Sequence, residues 1–207
     1  MSGKKPDKFG GTVMILAGAL FIIVNTVLAV RIPMEAGFPT SFASDAFFHR
    51  LASATVLMFL LMVGTLRAYQ GLPSAGQPAD RICFGLAFVG CAMLFAHEWG
   101  QVFFLHPLAV AAPEGLQALE GPPGNFDLYD FEAALAVVGY LVGWLAFSIL
   151  LLVRATYGRL APGLVAGGFL SVSVLTALLP APWGGVAGNL PIGAGYILLG
   201  WRLARAT

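Results

Sequence analysis

The sequence predicts an all-α membrane protein, built as a bundle of six transmembrane helices with both termini in the cytoplasm. Three observations lead to this class: 58% of the 207 residues are hydrophobic, only 10% are charged, and the apolar residues gather in six long stretches. A soluble domain carries about 25% charged residues, so this chain has too few polar groups to cover a surface in water. Much of the surface therefore faces lipid, and we expect residues 1–207 to form a single integral membrane domain.

Each apolar stretch is assigned as a span by its length. Crossing a hydrocarbon core of about 30 Å takes roughly 20 helical residues. The second stretch is short, but Phe47 and Phe48 extend it. The last contains six glycines and Pro191, which membrane helices tolerate better than soluble ones do. The predicted spans are 11–30, 51–66, 82–105, 133–153, 160–180 and 184–201.

The distribution of basic residues predicts the orientation of the bundle. Of the 11 lysines and arginines, only Arg31 and Arg50 lie on the side opposite the termini. The side rich in basic residues is normally cytoplasmic, so the chain is expected to be a multi-pass protein of a bacterial plasma membrane, N-in and C-in. A net charge of +1 offers no cationic surface for nucleic acid. The expected partners are membrane lipid and other membrane proteins.

Small residues recur at spacings that favour close helix packing. Inside lipid, van der Waals contact through such residues supplies much of the attraction between helices. Ordinary packing is the simplest interpretation, and the same glycine-rich faces also suit an accessory subunit that binds larger membrane partners. The residues concerned are Gly163, Gly167 and Ser171 in span five, Gly184 and Gly188 in span six, and Gly85, Gly90 and Gly100 in span three.

Polar side chains are predicted to lie at one depth, toward the outside. Glu98 and His97 lie about one helical turn outward of the middle of span three. Ionisable groups inside a membrane are costly and often mark functional sites. Gln101 shares the helix face of Glu98, and an amide from another helix is a potential partner for that carboxylate. We expect an outward-facing pocket whose ligand-binding residues are Glu98, His97, Gln101, Asn25, Tyr140 and Asn189.

Several functions are compatible with these residues. Glu98 either belongs to a structural hydrogen-bond network or serves a site that binds a small polar or amphipathic ligand or carries a proton. A non-catalytic accessory subunit is the first alternative. An enzyme acting on a lipid-soluble substrate is another, with Glu98 as general acid or base and His97 as its partner. The sequence leaves open whether the chain is an enzyme.

The outer loops combine acidic residues, histidines and aromatic residues. Seven of the ten acidic residues, including Glu132, are predicted to lie outside. Pro113 to Leu119 is expected to form a short interfacial helix with Leu116 on its apolar side, and phenylalanines 38, 42, 47 and 48 are expected to cover the helix ends. Residues of metal-binding type lie there too, but they lack compact ligand spacing and suit solvated loops better. They are Asp45, His49, His106, Asp127 and Asp130.

The sequence does not identify a cofactor. A retinal Schiff base needs a lysine inside the membrane, whereas every lysine precedes span one. Haem ligation by two histidines needs a deep pair, and only His97 is deep, which leaves open a single haem bound by His97 with His49 or His106. The two cysteines lie about 12 Å apart along one helix, too far for a disulfide.

Overall fold

The computed structural model describes residues 6–33, 36–119, 128–180 and 183–205, and these are almost entirely helical. A π-helical turn (Ile23–Leu28) and a 3₁₀ turn (Ala29–Arg31) continue the first helix, and a π-helical turn (Gln101–Leu105) joins the fourth helix to the fifth. The helices are α1 (Lys8–Ile22), α2 (Phe38–Ala43), α3 (Asp45–Gln70), α4 (Pro78–Gly100), α5 (His106–Ala111), α6 (Pro113–Leu119), α7 (Leu128–Arg154), α8 (Leu160–Leu178) and α9 (Trp183–Arg205).

The six long helices form a closed ring in chain order. Each of α1, α3, α4, α7, α8 and α9 packs against the next, and α9 packs against α1. The contact between α1 and α9 is antiparallel, since Gly11 lies against Gly200 and Gly18 lies against Gly193. The Asp7 amide donates to the Leu203 carbonyl oxygen at 3.2 Å. We call the end of the bundle that holds Lys8 and Arg205 the terminal end, and the opposite end the distal end.

Five helical segments among the described residues are long and apolar enough to cross a bilayer. Their number supports the assignment as a multi-pass integral membrane protein. The last long helix, α9, is not in this set, because glycines, Asn189 and two arginines lower its hydropathy. The five segments are Lys8–Arg31, Asp45–Gln70, Pro78–Ala111, Asp130–Arg154 and Leu160–Leu178.

Helix α9 is weakly apolar because much of it touches protein. It packs against both α1 and α8, and its glycines let the neighbouring backbones approach closely. A helix enclosed in this way needs fewer apolar side chains than one that faces lipid. Its buried residues are Gly184, Gly188, Ile192, Gly193, Gly195, Tyr196, Leu199, Gly200 and Leu203.

Glycines set the spacing of two helix pairs, α4 with α7 and α8 with α9. A Cβ added to Gly90 would lie 2.4 Å from the Gly139 carbonyl oxygen, and one added to Gly184 would lie 2.3 Å from the Leu175 carbonyl oxygen. Gly188 is equally close to Val172. The expectation of close packing is confirmed at these three positions. It is wrong for Gly85, Gly100 and Gly167, which face open space, while Gly163 makes only an ordinary contact.

Aromatic side chains fill the middle of the ring. The rings of Trp144 and Tyr196 have centroids 4.6 Å apart, and both side chains are fully buried. The indole nitrogen of Trp144 donates to the Cys91 sulfur at 3.1 Å. This aromatic packing lies between the polar groups of the terminal end and those of the distal end.

Ion pairs join the helices at the terminal end. The Arg67 Nε atom lies 2.8 Å from Asp7 Oδ2. Arg154 donates to Asp80 Oδ1 at 2.9 Å and to Gln77 Oε1 at 2.6 Å. Asp80 is completely buried and lies in the first turn of α4. It therefore links α4 to α7 through a charge that is shielded from solvent.

A cap of short helices covers part of the distal end. The predicted helix Pro113–Leu119 is confirmed as α6, and the side chain of its Leu116 is buried. Helix α2 packs against α5 and α6, and the rings of Phe42 and Phe47 lie 4.2 Å apart. The phenylalanine-rich segment thus covers helix ends as expected, although the Phe38 side chain lies outside the described residues.

We expect Tyr157→Phe to lower stability at neutral pH and to change its dependence on pH. The Tyr157 hydroxyl donates to the Ala68 carbonyl oxygen at 2.8 Å, a bond worth about 1 kcal/mol. Burial, together with the charge of Asp7, raises the pKa of this phenol above its usual value. Its stabilising contribution is thus complete below about pH 10 and is lost as pH rises through the folded-state pKa.

The measurement is the melting temperature of detergent-purified protein at pH 7 and at several values above pH 10. Wild type should lose more stability than Tyr157→Phe across the alkaline range. Equal losses in the two proteins would contradict the proposed role of this phenol.

Candidate functional site

Five residues gather in the distal half of the bundle, and we call them the distal cluster. Three come from α4 and the π-helical turn that follows it, and the others come from α3 and α7. The helix face that Glu98 and Gln101 are predicted to share is buried, as are Cys91 and Leu94 on the same face. The members of the cluster are Arg50, His97, Glu98, Gln101 and Glu132.

His97 is held between two partners on different helical segments. Its Nδ1 atom lies 2.7 Å from Glu132 Oε2, and its Nε2 atom accepts from the amide nitrogen of Gln101. With that amide as donor, the imidazole is neutral and Nδ1–H donates to Glu132. The His97 side chain is only 8% exposed, whereas Glu132 is 49% exposed. The pair therefore connects a buried imidazole to a carboxylate that reaches the surface.

Glu98 lies beside this pair and is more deeply enclosed. Its residue exposure is 7%, and its Oε2 atom has no hydrogen-bond partner in the part of the chain that the structure describes. Arg50 and His97 lie near enough to interact with it electrostatically. Removing a carboxylate from water costs several kcal/mol unless other groups compensate. The free oxygen therefore makes Glu98 the member of the cluster best suited to receive a proton or a hydrogen-bond donor.

Both π-helical turns lie in the distal half of the ring. One contains Asn25 in the continuation of α1, and the other begins at Gln101. A π-helical turn inserts an extra residue into an α-helix and often occurs at functional sites. Here the second turn places the Gln101 amide against His97, which makes the irregular backbone part of the site.

The two predicted asparagines bond to their own helices. The Asn25 amide donates to the Phe21 carbonyl oxygen at 3.0 Å, and the Asn189 amide donates to the Gly185 carbonyl oxygen at 2.9 Å. Neither forms the expected hydrogen bond to Glu98 among the described contacts. Short polar side chains in helices commonly form such bonds to their own backbone. Asn25 and Asn189 therefore form no described bond to the cluster, although they were predicted to lie at the same depth.

Tyr140 lies deeper in the bundle than expected. Its backbone packs against Gly90, and Gly90 is about 11 Å along the helix axis from His97 and Glu98. Its hydroxyl is 3.0 Å from that of Tyr196. The glycine contact sets the register of α7 on α4, and this register separates Tyr140 from Glu98. The structure thus assigns Tyr140 to a central tyrosine pair whose second member the sequence did not single out.

The two histidines among the metal-site candidates bond to backbone carbonyl oxygens. The Nδ1 atom of His49 lies 2.7 Å from the Asp45 carbonyl oxygen, and that of His106 lies 2.8 Å from the Phe42 carbonyl oxygen. The described residues hold no group of three or more metal-ligating side chains. Asp130 is exposed in the first turn of α7, and Asp127 lies outside the described residues.

A haem bound through His97 would need a ring nitrogen of His97 that contacts no other protein group. Both of its ring nitrogens face protein partners, Glu132 on one side and Gln101 on the other. Neither nitrogen is available to an iron without breaking one of these contacts. The residues present therefore do not suit a haem bound through His97.

Sequence reasoning missed the role of Glu132. Because the fourth span was predicted to begin at residue 133, Glu132 was grouped with the solvated acids of the outer loop. The helix in fact begins at Leu128, which places Glu132 on α7 beside His97. The predicted spans gave no signal for this pairing, because they place His97 about 12 Å inside the end of span three and Glu132 just before span four.

Comparison with protein-family models, with curated proteins and with solved structures gives no match. The functional argument therefore depends on the geometry of the chain itself.

Proposed function

We propose that this chain is a six-span membrane protein with both termini in the cytoplasm, and that the distal cluster forms an outward-facing pocket. The pocket takes up a proton or binds a small polar or amphipathic ligand. The observation that carries this proposal is the buried Glu98 carboxylate, whose Oε2 atom has no protein partner in the described structure.

The orientation is supported by where the charges lie. The described basic residues at the terminal end include Arg67, Arg81, Arg154 and Arg159 near helix ends and Arg202 and Arg205 in α9. The distal end has Arg31 and Arg50. Positive charge accumulates on the cytoplasmic side of membrane proteins, so the terminal end is assigned to the cytoplasm and the distal cluster to the outer leaflet.

Two tryptophans support α9 as the sixth span. Trp183 is 62% exposed and Trp201 is 39% exposed. They are separated by about 27 Å along the helix, close to the thickness of the hydrocarbon core. Tryptophan favours the two membrane interfaces. The antiparallel contact of α9 with α1 also requires an even number of crossings if both helices span the membrane.

The His97–Glu132 pair gives the pocket a connection to the surface. Glu132 reaches solvent, and it accepts the hydrogen bond of the buried His97. The Gln101 amide contacts the other ring nitrogen of His97, so the imidazole links the surface carboxylate to the side chains beside Glu98.

We expect Glu98→Gln to remove a titrating carboxyl group from the pocket. Infrared difference spectra of the purified protein, recorded across a pH series in light and heavy water, should show the carbonyl band of a protonated carboxylic acid. This band should be absent in Glu98→Gln and present in Glu114→Gln, since Glu114 is exposed on α6. A band that persists unchanged in folded Glu98→Gln would contradict the proposal.

A further inference from the structure

Three buried side-chain oxygens in the described structure lack a hydrogen-bond partner, and all three belong to α4 and α7. They are Glu98 Oε2, Asp80 Oδ2 and Ser148 Oγ. Their residues are 7%, 0% and 1% exposed, respectively. Leaving buried polar groups unpaired costs several kcal/mol in an apolar environment. Such groups usually contact bound water or have a functional role, so their restriction to one helix pair needs an explanation.

These oxygens lie at different depths along the pair. Helices α4 and α7 are antiparallel, as Gly90 packs against Gly139 and Gly143 packs against Leu86. Asp80 and Glu98 are separated by about 27 Å along α4, which is close to the thickness of a hydrocarbon core. One carboxylate therefore lies near each end of the α4–α7 interface.

Hydroxyl groups occupy the interval between the two carboxylates. Tyr140, Trp144 and Ser148 follow one another at four-residue spacing and share one face of α7. The Tyr140 hydroxyl is 3.0 Å from that of Tyr196. A hydroxyl both donates and accepts, so it can accept one proton while it releases another. The indole nitrogen of Trp144 only donates and is already bonded to Cys91, so it takes no part in such a transfer.

Each end of the helix pair lies next to a partly exposed side chain. At the terminal end, Asp80 keeps Oδ2 free while Oδ1 accepts from Arg154, and the Arg154 side chain is 31% exposed. Cys83, on α4, also interacts electrostatically with Asp80. At the distal end, Arg50 and His97 act on Glu98, and His97 leads to the exposed Glu132.

We propose that the α4–α7 interface is a proton path across the membrane, from Glu98 through the Tyr140–Tyr196 pair and Ser148 to Asp80, with water between these groups. The proposal rests on the proposed function, because it uses Glu98 as the site of proton uptake. Only O–H bonds form and break. Each proton that enters at Glu98 is matched by one released at Asp80, and in liposomes K⁺ carried outward by valinomycin balances the charge.

The test measures proton flux in liposomes that contain the full-length protein. A potassium diffusion potential set with valinomycin drives protons inward, and an enclosed pH-sensitive dye reports their arrival. We expect wild type to exceed empty liposomes, and we expect Glu98→Gln, Asp80→Asn and Tyr140→Phe each to lose at least tenfold of this flux. Ser148→Ala should lose several-fold. Ser171→Ala and Glu114→Gln serve as controls and should retain the wild-type flux.

The outcomes separate the path from the pocket. Wild-type flux equal to that of empty liposomes would overturn the path, and so would unchanged flux in both Tyr140→Phe and Ser148→Ala. Neither of these two variants removes a charge, so the test remains decisive if Asp80→Asn fails to fold. The infrared band of Glu98 reports the pocket independently. If wild type shows the Glu98 band but no proton flux, the pocket is retained and the path is rejected. If wild type shows neither the band nor the flux, both proposals are rejected.

Discussion

Replacing Gly90 by leucine is expected to prevent α4 and α7 from packing. A Cβ at this position would lie 2.4 Å from the Gly139 carbonyl oxygen and 2.7 Å from the Tyr140 Cα atom. Both are backbone atoms, so no rotamer change relieves the overlap and the helices must separate. Overpacking of a filled interior typically costs 1–3 kcal/mol, and the rigid contact here places the expected cost at about 3 kcal/mol or more.

Gly85→Leu provides a matched control on the same helix, because no atom lies within 4 Å of a Cβ at Gly85. The fraction of each variant that elutes as a single folded species in detergent is the first measurement, and the free energy of unfolding in a denaturing detergent is the second. We expect Gly85→Leu to resemble wild type and Gly90→Leu to yield little folded protein. Equal stability of the two variants would show that the close contact at Gly90 is not present.

Trp144→Ala is expected to have the second large effect. Trp144 is fully buried, its ring lies 4.6 Å from that of Tyr196, and it donates to Cys91. Truncation leaves a large cavity at the centre of the ring and removes one hydrogen bond. Replacing a buried tryptophan by alanine costs about 3–5 kcal/mol in well-packed interiors.

The control for this change is Trp183→Ala, since Trp183 is 62% exposed. Its loss should change the unfolding free energy by no more than about 0.5 kcal/mol. Thermal melting followed by the near-ultraviolet circular dichroism of the remaining aromatic residues compares the two variants directly. If Trp144→Ala melts within a few degrees of wild type, the described packing of α4, α7 and α9 is incorrect.

The helices could be located from the sequence because lipid imposes a simple requirement on length and hydropathy. Five apolar stretches correspond to segments able to span a membrane. Half of the long helices, namely α3, α7 and α9, are longer than the stretches that predicted them. Helix α3, for example, begins at Asp45 and ends at Gln70. Helices continue into the interfacial region, where charged residues are tolerated, and apolar length alone therefore underestimates them.

The site could be predicted only in part, because depth along a helix does not specify which residues meet. Glu98, His97 and Gln101 lie together as expected, since their spacing on one helix fixes their relation. Tyr140, Asn25 and Asn189 do not join them through the described hydrogen bonds. Their partners depend on the register of neighbouring helices, which glycine contacts such as that of Gly90 determine, and on local bonds to the backbone.

Asp80 illustrates a second limit of the sequence. It lies between two predicted spans, and the sequence predicted no role for it, yet it is fully buried against Arg154. The pairing links residues 74 positions apart, and no local pattern identifies it. A charged residue at the first turn of a span can therefore be part of the interior when the following helix supplies its counter-charge.

The central claim is that the cluster around Glu98 faces the outside and is connected to water there, and thiol labelling tests it most directly. Gln101→Cys is made in a background carrying Cys83→Ser and Cys91→Ala, and intact cells are treated with a small membrane-impermeant methanethiosulfonate. Glu114→Cys and Arg159→Cys in the same background report the two sides of the membrane. We predict that Gln101→Cys and Glu114→Cys react in intact cells, whereas Arg159→Cys reacts only after permeabilisation. Reaction of Gln101→Cys only after permeabilisation, or no reaction while Glu114→Cys is labelled, would contradict the outward-facing pocket.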